Sequence, residues 1–176
     1  MHIGEIMTAD TANGVGMRVT VFVSGCTNAC PGCFQPETWN FEYGKIYTQE
    51  MEDSIIGELS QPYYDGLTFL GGDPMEESNQ YGILPLVRRI RRELPQKTMW
   101  LYTGFVYDTD LQPGGRRYFG DVTDEILDSI DVLVDGPFVQ DLKDITLKFR
   151  GSSNQRIIDM PATRKTRNVV LSSLNN

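Results

Sequence analysis

Short apolar strands recur roughly every thirty residues along this chain, with helical stretches between them, and that rhythm admits few folds. Met17 to Ser24 is β-branched and alternates at 17, 19, 21 and 23, the pattern of a strand. Leu67 to Leu70, Thr98 to Thr103 and Val132 to Val134 give a second, third and fourth. Ile145, Leu147 and Phe149 alternate as a fifth, and Ile157-Ile158 gives a short sixth. Thr48 is placed to cap a helix through Leu59, whose apolar face is Met51, Ile55, Ile56 and Leu59. Leu84, Val87, Ile90 and Leu94 predict another helix, with Pro85 in its first turn and residues 75–83 irregular. Thr123 caps a third to about Ile130, with Val122 and Leu127 as a staple.

Strand–helix alternation predicts βα units, a mostly parallel sheet and right-handed crossovers. A closed eight-stranded barrel needs about 250 residues, and this chain has 176. The expected fold is therefore α/β, an open partial (βα) barrel of five to six mostly parallel strands. One domain is expected over residues 1–160, followed by a loose polar tail over 161–176.

Cys26, Cys30 and Cys33 are the only cysteines and fall within eight residues. Three soft thiols this close form a metal nest one ligand short of a closed zinc site. On a four-iron cluster, three thiolates leave one iron open to a small molecule. A disulfide with one stray thiol is an alternative, though no secretory signal precedes the run. Zinc is another, but the only histidine is His2, so an Asp, a Glu or a second chain would have to complete the site. Inert core cysteines fit poorly, because Thr27, Asn28, Pro31 and Gly32 read as loop.

Composition narrows the partners. A formal charge of −8 argues against general nucleic-acid binding. No apolar run approaches the ~20 residues that span a bilayer. Clustered thiols without a signal segment fit a reducing compartment, so a cytoplasmic location is expected. Arg88, Arg89, Arg91 and Arg92 form a basic run, either a solvated helix face or a docking patch.

The unusual segments share one position in the rhythm. The cysteine run follows the first strand and Gly71-Gly72-Asp73-Pro74 the second. Tyr102-Thr103-Gly104 closes the third, and Asp135-Gly136-Pro137 follows the fourth. In parallel α/β folds ligand sites form at the carboxyl ends of strands, so all four should gather on one rim. Alone, each reads as ordinary turn chemistry.

The CxxxCxxC run after the first strand resembles the radical S-adenosylmethionine superfamily. The double-glycine segment is similar to the motif whose backbone holds the methionine amino group there. More narrowly, Asn13 to Arg18, the cysteine run, Gly71 to Pro74, Asp131 to Phe138 and Arg150 to Arg156 resemble the activating proteins of anaerobic ribonucleoside-triphosphate reductases. The resemblance implies a [4Fe–4S] cluster on Cys26, Cys30 and Cys33 with S-adenosylmethionine on its open iron. It implies reductive cleavage of that cofactor and a glycyl radical made on the reductase's large subunit. A flavodoxin-like protein is the implied one-electron donor.

Gly71 and Gly72 would approach the methionine moiety. Asp73 would accept from its amino group or cap the next turn, and Thr103 would touch ribose or make a local hydrogen bond. The residue before the third cysteine is usually aromatic in the superfamily; here it is Gly32, and Phe34 follows the cysteine instead. Both are candidates for the adenine side of the site. Arg150 to Arg156 is either an ordered loop near the site or a solvated connection, and loop 105–120 is the better candidate for partner docking. Two other readings are an activase of another glycyl-radical enzyme, such as pyruvate formate-lyase, and a non-catalytic zinc or iron–sulfur module.

Overall fold

The computed structural model describes residues 1–175. Seven strands form one open sheet in the order β3-β1-β2-β4-β5-β6-β7. They are β1 (His2–Asp10), β2 (Arg18–Val23), β3 (Lys45–Ile46), β4 (Gly66–Gly71), β5 (Thr98–Tyr102), β6 (Val132–Asp135) and β7 (Arg156–Asp159). The central neighbours β2, β4, β5 and β6 are parallel. β1, β3 and β7 are antiparallel additions on the two sides. The expected α/β class and parallel centre are present, with seven strands rather than five or six.

Among the described residues, four α-helices accompany the sheet: α1 (Gln49–Leu59), α2 (Glu77–Glu93), α3 (Asp121–Ser129) and α4 (Met160–Thr166). Val19, Val21, Val23, Leu67, Phe69, Met99, Leu101 and Leu133 come from alternate positions of the parallel strands. They join Ile55, Leu59, Val87, Ile90 and Ile126 of the helices in the main core. Among the described residues no helix is long and apolar enough to cross a membrane.

Several local expectations change. Residues 145–149 form no strand, and Ile145 is 90% exposed. Asp144 Oδ1 accepts from the Thr146 backbone N–H and hydroxyl, a local turn that competes with extended pairing. Phe149 alone turns inward, edge-on to Trp100 at 5.3 Å. α2 starts at Glu77 and carries Pro85 inside it. Buried Asn79 and Gln80 anchor the early turns by side-chain hydrogen bonds, which offsets the one that proline removes. Thr48 does cap α1, accepting from Met51 N. Thr123 lies inside α3, where its hydroxyl accepts from Phe119 N and donates to Gln80 Oε1.

The segment expected as a loose tail begins with α4. Asp159 accepts from Ala162 N, and Pro161 sits in the first turn. Beyond α4, Asp159 N donates to Val170 O and Leu171 bridges Ile158, so the chain returns along β7. The basic run of α2 is a paired helix face. Arg88 meets Glu125, Arg89 meets Asp53 and Glu93, Arg91 meets Asp131, and Arg92 meets Glu93.

The sheet face away from the helices is closed at its lower end by a charge. Arg18 is fully buried. It donates to Thr68 Oγ1 at 2.7 Å, Leu67 O at 2.8 Å, Val15 O and Thr98 O at 3.0 Å, and Thr98 Oγ1 at 3.1 Å. Its guanidinium lies 5.5 Å from the Trp100 ring centroid. Burial lowers its pKa to about 10, so it stays charged at neutral pH. Gly14 (φ +133°) passes so close that a Cβ there would lie 2.8 Å from Arg18 Cδ and 3.1 Å from Trp100. That contact gives Gly14, ahead of β2, a packing reason.

Arg18→Leu takes the donor from five acceptors, of which Thr68 Oγ1 and Leu67 O lie in buried hydrogen bonds, so it should lower the unfolding free energy by about 3 kcal/mol. Arg18→Lys should lose less, because an ammonium supplies three of the five donors. Urea denaturation followed by circular dichroism measures both; equal stability of Arg18→Leu and the wild type would remove the guanidinium from the account.

Candidate cluster-binding site

The carboxyl ends of β2, β4, β5 and β6 open into one cavity of about 480 Å³. Cys26, Cys30, Cys33, Phe34, Gly71, Gly72, Asp73 and Thr103 all line it. Gly32 does not: it lies at φ +76°, and a Cβ there would sit 2.4 Å from Gln140 Oε1. Asn28, Phe138 and Gln155, from segments the sequence pointed to, line it as well, and so does Trp39, from a stretch that carried no motif.

β2 runs straight into the cysteine loop. Gly25 N donates to Thr38 O and Cys26 N to Trp39 O, so the loop is pinned to the short 3-10 turn Pro36–Trp39. Cys33 N donates to Cys30 O and closes the CxxC half as a tight turn. All three cysteines are free and half-buried. Burial, reinforced by the nearby Asp73 charge, pushes the Cys26 thiol up to about 11, and burial also raises Cys30. At neutral pH the Cys26 thiol is therefore protonated, and a metal must displace its proton to bind.

Among the described residues no three His, Cys, Asp or Glu side chains gather as a site for one metal ion. The cysteines instead line a shared cavity. That arrangement fits a polynuclear cluster, in which each thiolate takes its own iron. The donor set and the cavity volume both suit a cubane with a small cofactor beside it.

Asp73 is the junction of the rim. Its Oδ1 accepts from Met75 N at 2.9 Å and from the Thr103 hydroxyl at 2.7 Å. Its Oδ2 accepts from Gly104 N at 2.8 Å and from Asn28 Nδ2 at 3.2 Å. Four donors fill a carboxylate's good acceptor positions. The cysteine loop, the β4 loop and the β5 loop thus meet on one buried side chain. Asp73 makes the turn-capping bond foreseen for it, accepting from Met75 N. Thr103 likewise makes the local bond, giving its proton to Asp73 and accepting from Phe105 N.

Gly72 is required by the neighbouring loop. A Cβ at Gly72 would lie 2.5 Å from Gly25 O. Gly72 N donates to Val23 O and Asp73 N to Gly25 O, so the two loops run backbone to backbone. Beneath them Asn79 Nδ2 donates to Ser24 O and Asp73 O. The signal for this clamp was in the sequence. Asn79 and Gln80 share a helix face with Ile83 and Val87, and amides on an apolar face usually serve buried acceptors.

The Arg150 to Arg156 segment forms the opposite wall. Gln155 Oε1 accepts from Gly151 N and Ser152 N, while its Nε2 donates to Gly136 O. Asn154 Nδ2 donates to Pro137 O. Arg156 grips buried Asp135 through Nε (2.9 Å) and Nη2 (2.5 Å) and also reaches Asp108. It is an ordered loop that seats Gly136 to Phe138 against the cavity. At the mouth Phe34 is 70% exposed, tilted against Phe138 at 5.6 Å, with Lys143 Nζ 5.2 Å from its ring.

The sequence matches known proteins over most of its length. Residues 12–158 match the family described as 4Fe-4S single cluster domain. The anaerobic ribonucleoside-triphosphate reductase-activating proteins of Salmonella typhimurium and Escherichia coli K12 are each 43% identical over 157 residues, covering 88% of this chain and 96% of theirs. The protein of that name from Enterobacteria phage T4 is 35% identical over 157 residues, covering 89% of this chain and 93% of its own.

Asp73 also makes the fold pH-sensitive. Burial pushes its pKa up to about 7 against the pull of its hydrogen bonds. Between the ordinary carboxylate range and that value the folded protein holds a proton that the unfolded chain releases, so this contribution to stability is lost as pH rises. The margin in melting temperature of the wild type over Asp73→Asn should therefore shrink from pH 4 to pH 8 in the metal-free protein. A margin that widens would mean that the four donors keep Asp73 ionised throughout.

Proposed function

Because the chain belongs to the family of anaerobic ribonucleoside-triphosphate reductase-activating proteins, we propose that it activates such a reductase as a radical S-adenosylmethionine enzyme. When bound, a [4Fe–4S] cluster with S-adenosylmethionine on its open iron supplies a one-electron cleavage that ends in a glycyl radical on the large subunit. The observation that carries this reading is the meeting of three thiols and a double-glycine turn in one cavity above parallel strands. The open parallel sheet is of the kind a partial barrel of this type uses.

The residues divide the work. Cys26, Cys30 and Cys33 hold the cluster. The strand-end backbone of Gly71 and Gly72 faces the cofactor's methionine part. Asp73 has its acceptor positions filled from within the protein, so the amino group falls to backbone carbonyls, and Asp73 sets their place. Thr103 has committed its proton, so towards a ribose hydroxyl it can only accept. Phe34 and Phe138 offer adenine an aromatic face at the mouth. The apolar walls keep water and stray hydrogen donors away. A flavodoxin-like protein is the proposed electron source and the cytoplasm the proposed location.

Anaerobic reconstitution with iron and sulfide, then reduction with S-adenosylmethionine present, should release 5′-deoxyadenosine. With the reductase added, it should produce a glycyl-radical signal in electron paramagnetic resonance. Cys30→Ala should lose the cluster and more than about 100-fold of the cleavage. Full activity in that variant, or a signal only with pyruvate formate-lyase, would overturn the assignment.

A further inference from the structure

The cysteine loop is held from outside the cavity as well as from within. Glu76, at the entry to α2, is 3% exposed. Its Oε1 accepts from the Thr27 backbone N–H at 2.7 Å and from the Thr27 hydroxyl at 2.6 Å. Arg117, from loop 105–120, places Nη2 3.1 Å from Glu76 Oε2 and donates from the same nitrogen to Thr27 Oγ1 at 2.7 Å. Thr27 thus sits between a carboxylate and a guanidinium, one residue from Cys26.

Neither charge is free to wander. The Arg117 guanidinium lies 4.6 Å from the Phe105 ring centroid. Its backbone carbonyl accepts from Nε2 of buried Gln80 at 2.9 Å. Gln80 Oε1 in turn accepts from the Thr123 hydroxyl. Glu76 is fixed because its carbonyl accepts from Asn79 N and Gln80 N at the start of α2. The pair is therefore built into the scaffold, and no part of the chemistry described above uses it.

We propose that Glu76 and Arg117 are positioning residues for the cluster, holding Cys26 in place through Thr27 and setting the cluster's reduction potential by their opposed charges. Reduction adds one electron to the cluster, so a fixed cation nearby favours the reduced form and a fixed anion opposes it. In a half-buried site these charges are weakly screened. Outer hydrogen bonds of this kind orient metal ligands and tune the metal. The proposal rests on the cluster assignment above.

The test is a redox titration of the reconstituted protein, followed by electron paramagnetic resonance without S-adenosylmethionine or partner. Arg117→Gln should lower the midpoint potential and Glu76→Gln should raise it, while Arg117→Lys should return it towards the wild-type value. A purely structural role would not move the two variants in opposite directions. Shifts of the same sign, or none, would overturn the proposal.

Should either glutamine variant fail to fold, Thr27→Val removes the bridging hydroxyl alone. It should lose iron to a chelator several-fold faster than the wild type, and an equal rate would count against the proposal. If the wild type binds no iron–sulfur cluster at all, the cluster assignment fails rather than this refinement of it.

Discussion

Four donors converge on one buried carboxylate, and the geometry of the rim follows from that constraint. Asp73 draws its partners from the cysteine loop, from the turn it begins and from the end of β5. Each of those loops leaves a different parallel strand, and loops of this kind ordinarily vary independently of their scaffold. Here all three are tied to one side chain. Gly72 against Gly25 and Asn79 beneath both loops add two further ties at the same point.

The two polar centres of the molecule play opposite parts. At the lower end, buried Arg18 fills space that apolar side chains fill elsewhere, and its hydrogen bonds go to neutral oxygens. At the upper end, Asp73 keeps space open by bracing its rim. Between them the parallel strands carry apolar residues towards the helices and a mixed set towards the cavity. One sheet thereby supports a dry core on one face and a ligand site on the other.

Much of this was legible in the residues. The four parallel strands, the cap at Thr48 and the gathering of Cys26, Gly71 and Thr103 on one rim follow from period-two alternation and the direction of βα units. What escaped did so for physical reasons. β1 shows no clean alternation because register shifts between Ile3 and Glu5 and between Met7 and Asp10 interrupt its pairing with β2. The 145–149 stretch alternates like a strand, yet Asp144 satisfies the backbone locally. The helix after Asp159 carried a cap and a proline that a reading of mean polarity passes over. Gly32 falls outside the cavity because the turn between Cys30 and Cys33 points it at Gln140. The Glu76–Arg117 pair joins positions forty-one residues apart, a separation that no local pattern encodes.

Protonated cysteines have a chemical consequence beyond metal affinity. Oxidants and electrophiles attack the thiolate, and the neutral form is a poor target. Burial and the neighbouring Asp73 charge hold the Cys26 thiol up to about 11, and burial raises Cys30 as well, so these two sulfurs meet oxidants mainly in their unreactive form.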